Sequence, residues 1–290
     1  MGVIRRYISR LKARIGLNKR TFIFYSILRV LVIITAVRCI FTHNYESFML
    51  CILSLILFLV PSFFEDKLKI EIPAIFQICI YAFIYAAEIL GEVNKFYTAI
   101  PGWDTMLHTI NGFLCAAIGF SLVDIMNRGS RYSKLSPLYL AVTAFCFSMT
   151  IGVLWEFFEF SMDRLFFFDT QKDFIVRSFA SVTLDPAHSQ TPVRVSDITR
   201  TIIETANGTQ YVIDGGYLDI GIIDTMKDLI VNFIGASVFS VIGYIYVKHN
   251  EQGSTASKLL IQPLTDEDIE AQEKYLADIR KEIKQDNADK

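Results

Sequence analysis

The sequence predicts an all-α fold, a polytopic membrane helix bundle of about six transmembrane helices with a small extracytoplasmic β-hairpin loop. Three observations carry that expectation. Of 290 residues, 52% are hydrophobic and 24 are phenylalanine, and the mean hydropathy is +0.39, so the polar shell of a soluble domain is barely supplied. Apolar runs matching the roughly 20 helical residues that cross about 30 Å of hydrocarbon recur about six times. The first 20 residues carry basic side chains and no acid.

The leader, residues 1–21, carries Arg5, Arg6, Arg10, Lys12, Arg14, Lys19 and Arg20 without an acid, and such flanks stay cytoplasmic. Ile4, Ile8, Leu11 and Ile15 share one helical face, which suits a helix lying on an anionic inner leaflet. A solvated leader that only sets topology fits equally. The first span, near 22–41, is too long and lacks the cleavage site of a removable signal peptide. Further spans are expected near 47–64, 73–90, 103–124, 136–161 and 224–247. Spans one to five thus fill 22–161, an extracytoplasmic loop fills 162–223, and 248–290 is a charged cytoplasmic tail. "EDKLKIE" and "NRGSRYSK" then face the cytoplasm with both termini, while "THNYE" and "GEVNKFYTAIPG" face out.

All five cysteines fall inside spans, where they act as small apolar residues. In the long loop, Asn207-Gly208 separates two β-prone runs of "TRTIIETANGTQYVIDGG", the signature of a hairpin. In the tail, Thr265 can cap a helix with Asp268 reaching back. Ile269, Leu276 and Ile283 stand at heptad spacing, but too few heptads follow to favour a coiled coil over a solvated helix.

The strongly polar positions concentrate at the outer span ends. Span three ends with Glu88. Span four opens with Trp103-Asp104 and carries His108 and Asn111 on one face. Span five closes with Glu156, Glu159 and Asp163, and span six opens with Asp224, Asp228 and Asn232. An ionised carboxylate in hydrocarbon costs several kcal/mol unless paired or wet, so these acids are expected to point inward and toward one another. Carboxylates sharing a pocket repel, so either protons or a cation must sit among them. Oxygen ligands with one imidazole suit a divalent metal ion such as Mg²⁺, Mn²⁺, Ca²⁺ or Zn²⁺, and helix bundles build metal sites from such spacings. Asp104, His108, Glu156, Glu159, Asp224 and Asp228 are the candidate metal ligands. Glu156 and Glu159 are also candidate catalytic bases, and Asn111, Asp163, Asn232 and Glu88 are supporting groups.

Blander roles fit several of them. Asp104 and Asp224 each precede a span and suit an N-cap, a lone histidine is commonly a hydrogen-bonded core residue, and Trp103 and Trp155 suit the interfacial aromatic belt. Gly112, Gly119, Gly152, Gly235 and Gly243 would let these helices approach closely.

The segments "WDTMLHTINGF", "GVLWEFFEFSMD" and "DTMKDLIVNFIGA" resemble the signature of the YjdF-like family of bacterial integral membrane proteins. More remotely they resemble the VanZ-like proteins associated with glycopeptide resistance. Thr105 and Glu159 depart from the latter, which has a basic residue and Gln at those places. The resemblance implies a bacterial inner (plasma) membrane protein whose shared polar residues are those above, and no established reaction. Two functions follow from the residues. One is metal-dependent chemistry on a lipid or lipid-linked envelope substrate, although no Gly-rich phosphate loop, His-Glu-x-x-His helix or Gly-x-Ser-x-Gly elbow is present. The other is an ion or proton site, in a small transporter or a structural helix clamp. Membrane lipids are the expected partners, and no nucleic acid is expected.

Overall fold

The computed structural model describes residues 19–129, 134–249 and 259–264, together with 267, 269, 270, 274 and 277. The leader up to residue 18 and most of the expected tail helix lie outside the described residues. Among those described, six helical segments are long and apolar enough to cross a membrane: Arg20–Phe41, Tyr45–Glu65, Ala74–Val93, Trp103–Arg128, Pro137–Phe166 and Ile222–His249. Two compact units divide the chain, one of Met1–Met149 with Asn232–Lys290 and one of Thr150–Val231.

In the first unit, α1 (Lys19–Phe41) turns through Thr42–Asn44 into α2 (Tyr45–Leu57). Asn44 accepts the Ser47 amide and caps α2. Pro61, which has no amide hydrogen to donate, opens the separate helix α3 (Val60–Leu68). The third span is α4 (Ala74–Ile84) running into a π-helical stretch, Tyr85–Val93. A short α5 (Phe96–Ala99) precedes α6 (Trp103–Gly129), and α7 (Pro137–Phe166) and α8 (Ile222–His249) complete the set.

Two cores hold this unit. Tyr25, Val32, Cys39, Cys51, Phe58 and Tyr81 join the first three spans, with the rings of Tyr25, Phe58 and Tyr81 in mutual contact at 5.0–6.1 Å. The second gathers Phe76, Leu114, Ala117, Phe120, Ala144, Ala236 and Phe239 with Leu260 and Ile261. Glycine decides how closely α6 and α8 approach. A Cβ at Gly112 would overlap the Asn232 carbonyl, and one at Gly235 the Thr109 carbonyl. Gly119 and Gly243 seat Phe147 and Phe120 in the same way. Small residues let backbones meet where no hydrophobic effect drives association, since lipid tails are themselves apolar.

After α8 the chain returns to the bundle. Gln262–Pro263 forms strand β8, antiparallel to β1 (Ile70–Glu71). The Ile261 amide donates to Ser121 Oγ at 3.0 Å, and Arg128 reaches Gln262 Oε1 at 3.2 Å.

The second unit contains the ends of α7 and α8 that the long loop joins. That loop is made of two-stranded ribbons: β2 (Ile175–Val176) with β7 (Tyr217–Leu218), β3 (Phe179–Ser181) with β4 (Val193–Val195), and β5 (Arg200–Glu204) with β6 (Gln210–Asp214). The expected hairpin is β5–β6, closed by Thr205–Thr209 with Gly208 at φ +82°. Asn207 Oδ1 accepts the Thr209 amide inside the turn. Asp185 organises another turn, accepting the amides of Ala187, Ser189 and Thr191 and the Ser189 hydroxyl.

Candidate functional site

The first two turns of α6 hold the histidine and its neighbouring acid. Gly102, at φ +79°, turns the chain into the helix, and its carbonyl accepts the Met106 amide. Asp104 is therefore the second helical residue rather than the N-cap, although a carboxylate there still meets the positive helix end. His108 Nε2 lies 3.4 Å from Asp104 Oδ1, with side chains 13% and 27% exposed.

One turn further, a buried polar network begins. Asn111 Nδ2 donates to Asn232 Oδ1 at 3.4 Å, Asn232 Nδ2 donates to the Ser148 carbonyl at 3.5 Å, and Ser148 Oγ donates to the Gly112 carbonyl at 2.7 Å. Cys115 Sγ donates to Asn111 Oδ1. Interhelical hydrogen bonds in membranes are worth about 0.6 kcal/mol each, and the two asparagine contacts are long. Packing across Gly112 and Gly235 therefore fixes the spacing, and the amides fix the rotational register.

Glu88 stands half-buried in the π-helical stretch, a widened geometry that recurs at functional sites. Trp103 is more than a belt residue: its indole donates to the Ala86 carbonyl in that stretch at 3.3 Å, and it packs edge-on against Phe96.

On α7, Glu156 is buried and Glu159 half-buried, while Leu154, Trp155, Phe157, Phe158 and Phe160 are exposed. Both carboxylates thus turn away from the face offered to lipid. Asp163 holds the loop instead, accepting the Thr170 amide and hydroxyl at 2.7 and 2.6 Å and the Gln171 amide at 2.9 Å. On α8, Asp219 caps the helix by accepting the Ile223 amide at 2.8 Å. Asp224 lies inside the first turn and accepts the Lys172 amide at 2.8 Å. Asp228 is 2% exposed, and Asn232 is 1% exposed one turn beyond it.

The contacts therefore join Asp104 to His108 and Asn111 to Asn232, and give Asp163 and Asp224 loop amides as partners. Ser148 and Asp219 escaped the sequence reading. A serine in an apolar run ordinarily bonds within its own helix, and nothing local marks one that crosses to α6. Asp219 looks like any loop acid until the start of α8 is known.

In the second unit, partial burial and then the neighbouring Asp169, Asp219 and Asp163 carboxylates push the Asp173 carboxyl above its ordinary value, with Lys172 opposing. Asp185 moves the other way, because the Ser189 hydroxyl and the amides of its turn stabilise the carboxylate.

Six membrane-length apolar helices with buried polar groups on their inward faces define a multi-pass membrane protein. The sequence profile of the DUF2238 family of predicted membrane proteins matches residues 23–185, more than half the chain, and the chain belongs to that family. The match includes Asp104, His108, Glu156 and Glu159 and ends before Asp228. An uncharacterized protein of Thermotoga maritima is 28% identical over 113 residues, covering 39% of this chain and 57% of that relative. The chain thus spans little more than half the length of that relative. No solved structure matches.

Proposed function

We propose that the protein is a membrane-embedded divalent-cation binder whose ligands are Asp104, His108 and Asp228, with Glu156 or Glu159 beside the cation. The observation that carries this is the Asn111–Asn232 contact. Helix periodicity sets His108 and Asp104 on successive turns from Asn111 along α6. It sets Asp228 one turn, about 6 Å, from Asn232 along α8 in the same chain direction. Each of the three offers one ligand atom, a carboxylate oxygen or an imidazole nitrogen, and that donor set suits a hard or borderline divalent ion. The YjdF-like likeness rests on these same residues.

Asp104, His108 and Asp228 would hold the cation at the depth of headgroups, where it would supply Lewis-acid polarisation of a phosphoryl or carbonyl oxygen of a lipid or lipid-linked envelope substrate in the bacterial plasma membrane. Glu156 or Glu159, turned from lipid, serves as general base. The competing reading is a non-catalytic ion or proton site, in a small transporter or a helix clamp.

Elemental analysis of the purified protein separates these. The proposal expects one divalent metal per chain, lost in His108→Ala and Asp228→Ala and kept in Asp124→Asn. No stoichiometric metal in the wild type would sink it. Metal present with membrane lipids unchanged on deletion of the protein would leave the clamp and discard the chemistry.

A further inference from the structure

We infer that the two roots of the long loop form an anchor embedded in the headgroup–acyl boundary of the leaflet on the loop's side, through Phe166–Phe168 at one root and Ile220 with Ile222 at the other. This stands apart from the cation reading.

The first observation is conformational. Helix α7 ends at Phe166, and Phe167, whose amide still donates to the Asp163 carbonyl, adopts φ +57°. That position normally takes glycine or asparagine, because a Cβ crowds the carbonyl in the left-handed region. At the other root Ile220 also adopts φ +57°, and a β-branched residue there is rarer still. The chain therefore leaves α7 and approaches α8 through two bulky apolar residues in a conformation that costs each of them.

The second observation is where those side chains go. Phe167 is 90% exposed and Ile220 65%, so neither packs into the protein. In water such residues would be costly in conformation and in exposure together. At the acyl boundary the exposure term reverses, as it does for interfacial aromatic residues generally.

The third observation is continuity. The exposed apolar face of α7, with Phe157, Phe158 and Phe160, runs directly into Phe166 and Phe168, whose rings stack at 6.2 Å. The exposed start of α8, Ile222 and then Met226, leads to Ile220. The lipid-facing surface of the spans thus continues past the helix ends on both sides of the loop. Arg164, its guanidinium over the Phe160 ring at 5.6 Å, suits a headgroup phosphate at that level.

The experiment places the photoreactive residue p-benzoylphenylalanine at 167, at 220 or at 207 in the full chain, reconstituted in phosphatidylcholine–phosphatidylglycerol vesicles. Intact mass after irradiation counts phospholipid adducts. At least tenfold more adduct at 167 and at 220 than at the hairpin turn, 207, is expected. No lipid adduct at 167 and 220 overturns the anchor, and so does equal labelling at 207, which means that the loop lies flat along its whole length. Because 167 and 220 are exposed, neither substitution challenges the fold, and the two sites check one another.

Discussion

Helix α6 carries an acid–base pair at each end, and the two are built differently. Near its start, Asp104 and His108 stand 3.4 Å apart. Near its finish, Asp124 and Arg128 stand 2.7 Å apart, the acid 10% and the arginine 44% exposed. Each is an i,i+4 pair. Arginine is always charged and offers a metal no lone pair, so the second pair is an ion bridge, tied further to Gln262. Histidine is charged only when it takes a proton, and when neutral it offers a metal a nitrogen. One end of the helix is an ion bridge, and the proposed cation would make the other conditional on what binds there.

The change expected to act on both ends at once is Gly112→Ala or Gly235→Ala. Each new Cβ meets a backbone carbonyl of the facing helix, which cannot swing aside like a side chain. Overpacking of this kind costs about 3 kcal/mol, read as a lower midpoint for unfolding in detergent. A result near wild type would mean that α6 and α8 have room to part and that the polar network sets their distance after all.

Next is the conditional end alone. A divalent cation at 100 times its dissociation constant should stabilise the wild type by about 2.7 kcal/mol. Thermal unfolding should show that gain abolished in Asp104→Asn and intact in Asp124→Asn. The converse pattern would reverse the roles given to the two pairs.

Removing the fixed bridge should cost less. Asp124→Ala leaves Arg128, which is half in solvent, without its carboxylate partner, and the loss is about 1 kcal/mol. It should not vary with divalent cation. Cation sensitivity of this variant's deficit would show that the two ends communicate.

The smallest effects repeat the contrast within the loop. Asp185 has its folded pKa depressed by donors, so its contribution is present above the unfolded carboxylate pKa, about 3.9, and is lost as pH falls through the folded value. Asp173 has its pKa raised by burial and acidic neighbours, so it weighs against the folded loop at neutral pH, and that penalty is relieved as pH falls through its folded value. Amide hydrogen exchange at pH 7 should therefore quicken around residues 185–191 in Asp185→Asn and slow around 169–174 in Asp173→Asn.

Much of this was legible in the sequence, for physical reasons. Apolar runs must be helical where no water satisfies the backbone, so the spans stood out, and Asn207-Gly208 marked its turn. Gly112 and Gly235 could be singled out because only a residue without a Cβ fits such an approach. What stayed hidden depends on partners far along the chain. Asp163 and Asp224 accept amides from residues 170–172, and a loop's path cannot be read from periodicity. The π-helical stretch at Glu88 carries no mark in "YAAEILGE", and the Trp103 that donates to its Ala86 carbonyl lies 17 residues further on.

The pairing of β8 with β1 bears on how the chain is made. Ile70–Glu71 emerges from the ribosome before the third span, whereas Gln262–Pro263 follows the sixth, so this contact closes only once every span has been synthesised. It is the most sequence-distant strand pair described, and such contacts form late. Leu260 and Ile261 are buried beside it, in the same core cluster as Phe76 and Phe120. A chain that stalls before span six therefore lacks part of the cluster that buries Phe76 and Phe120.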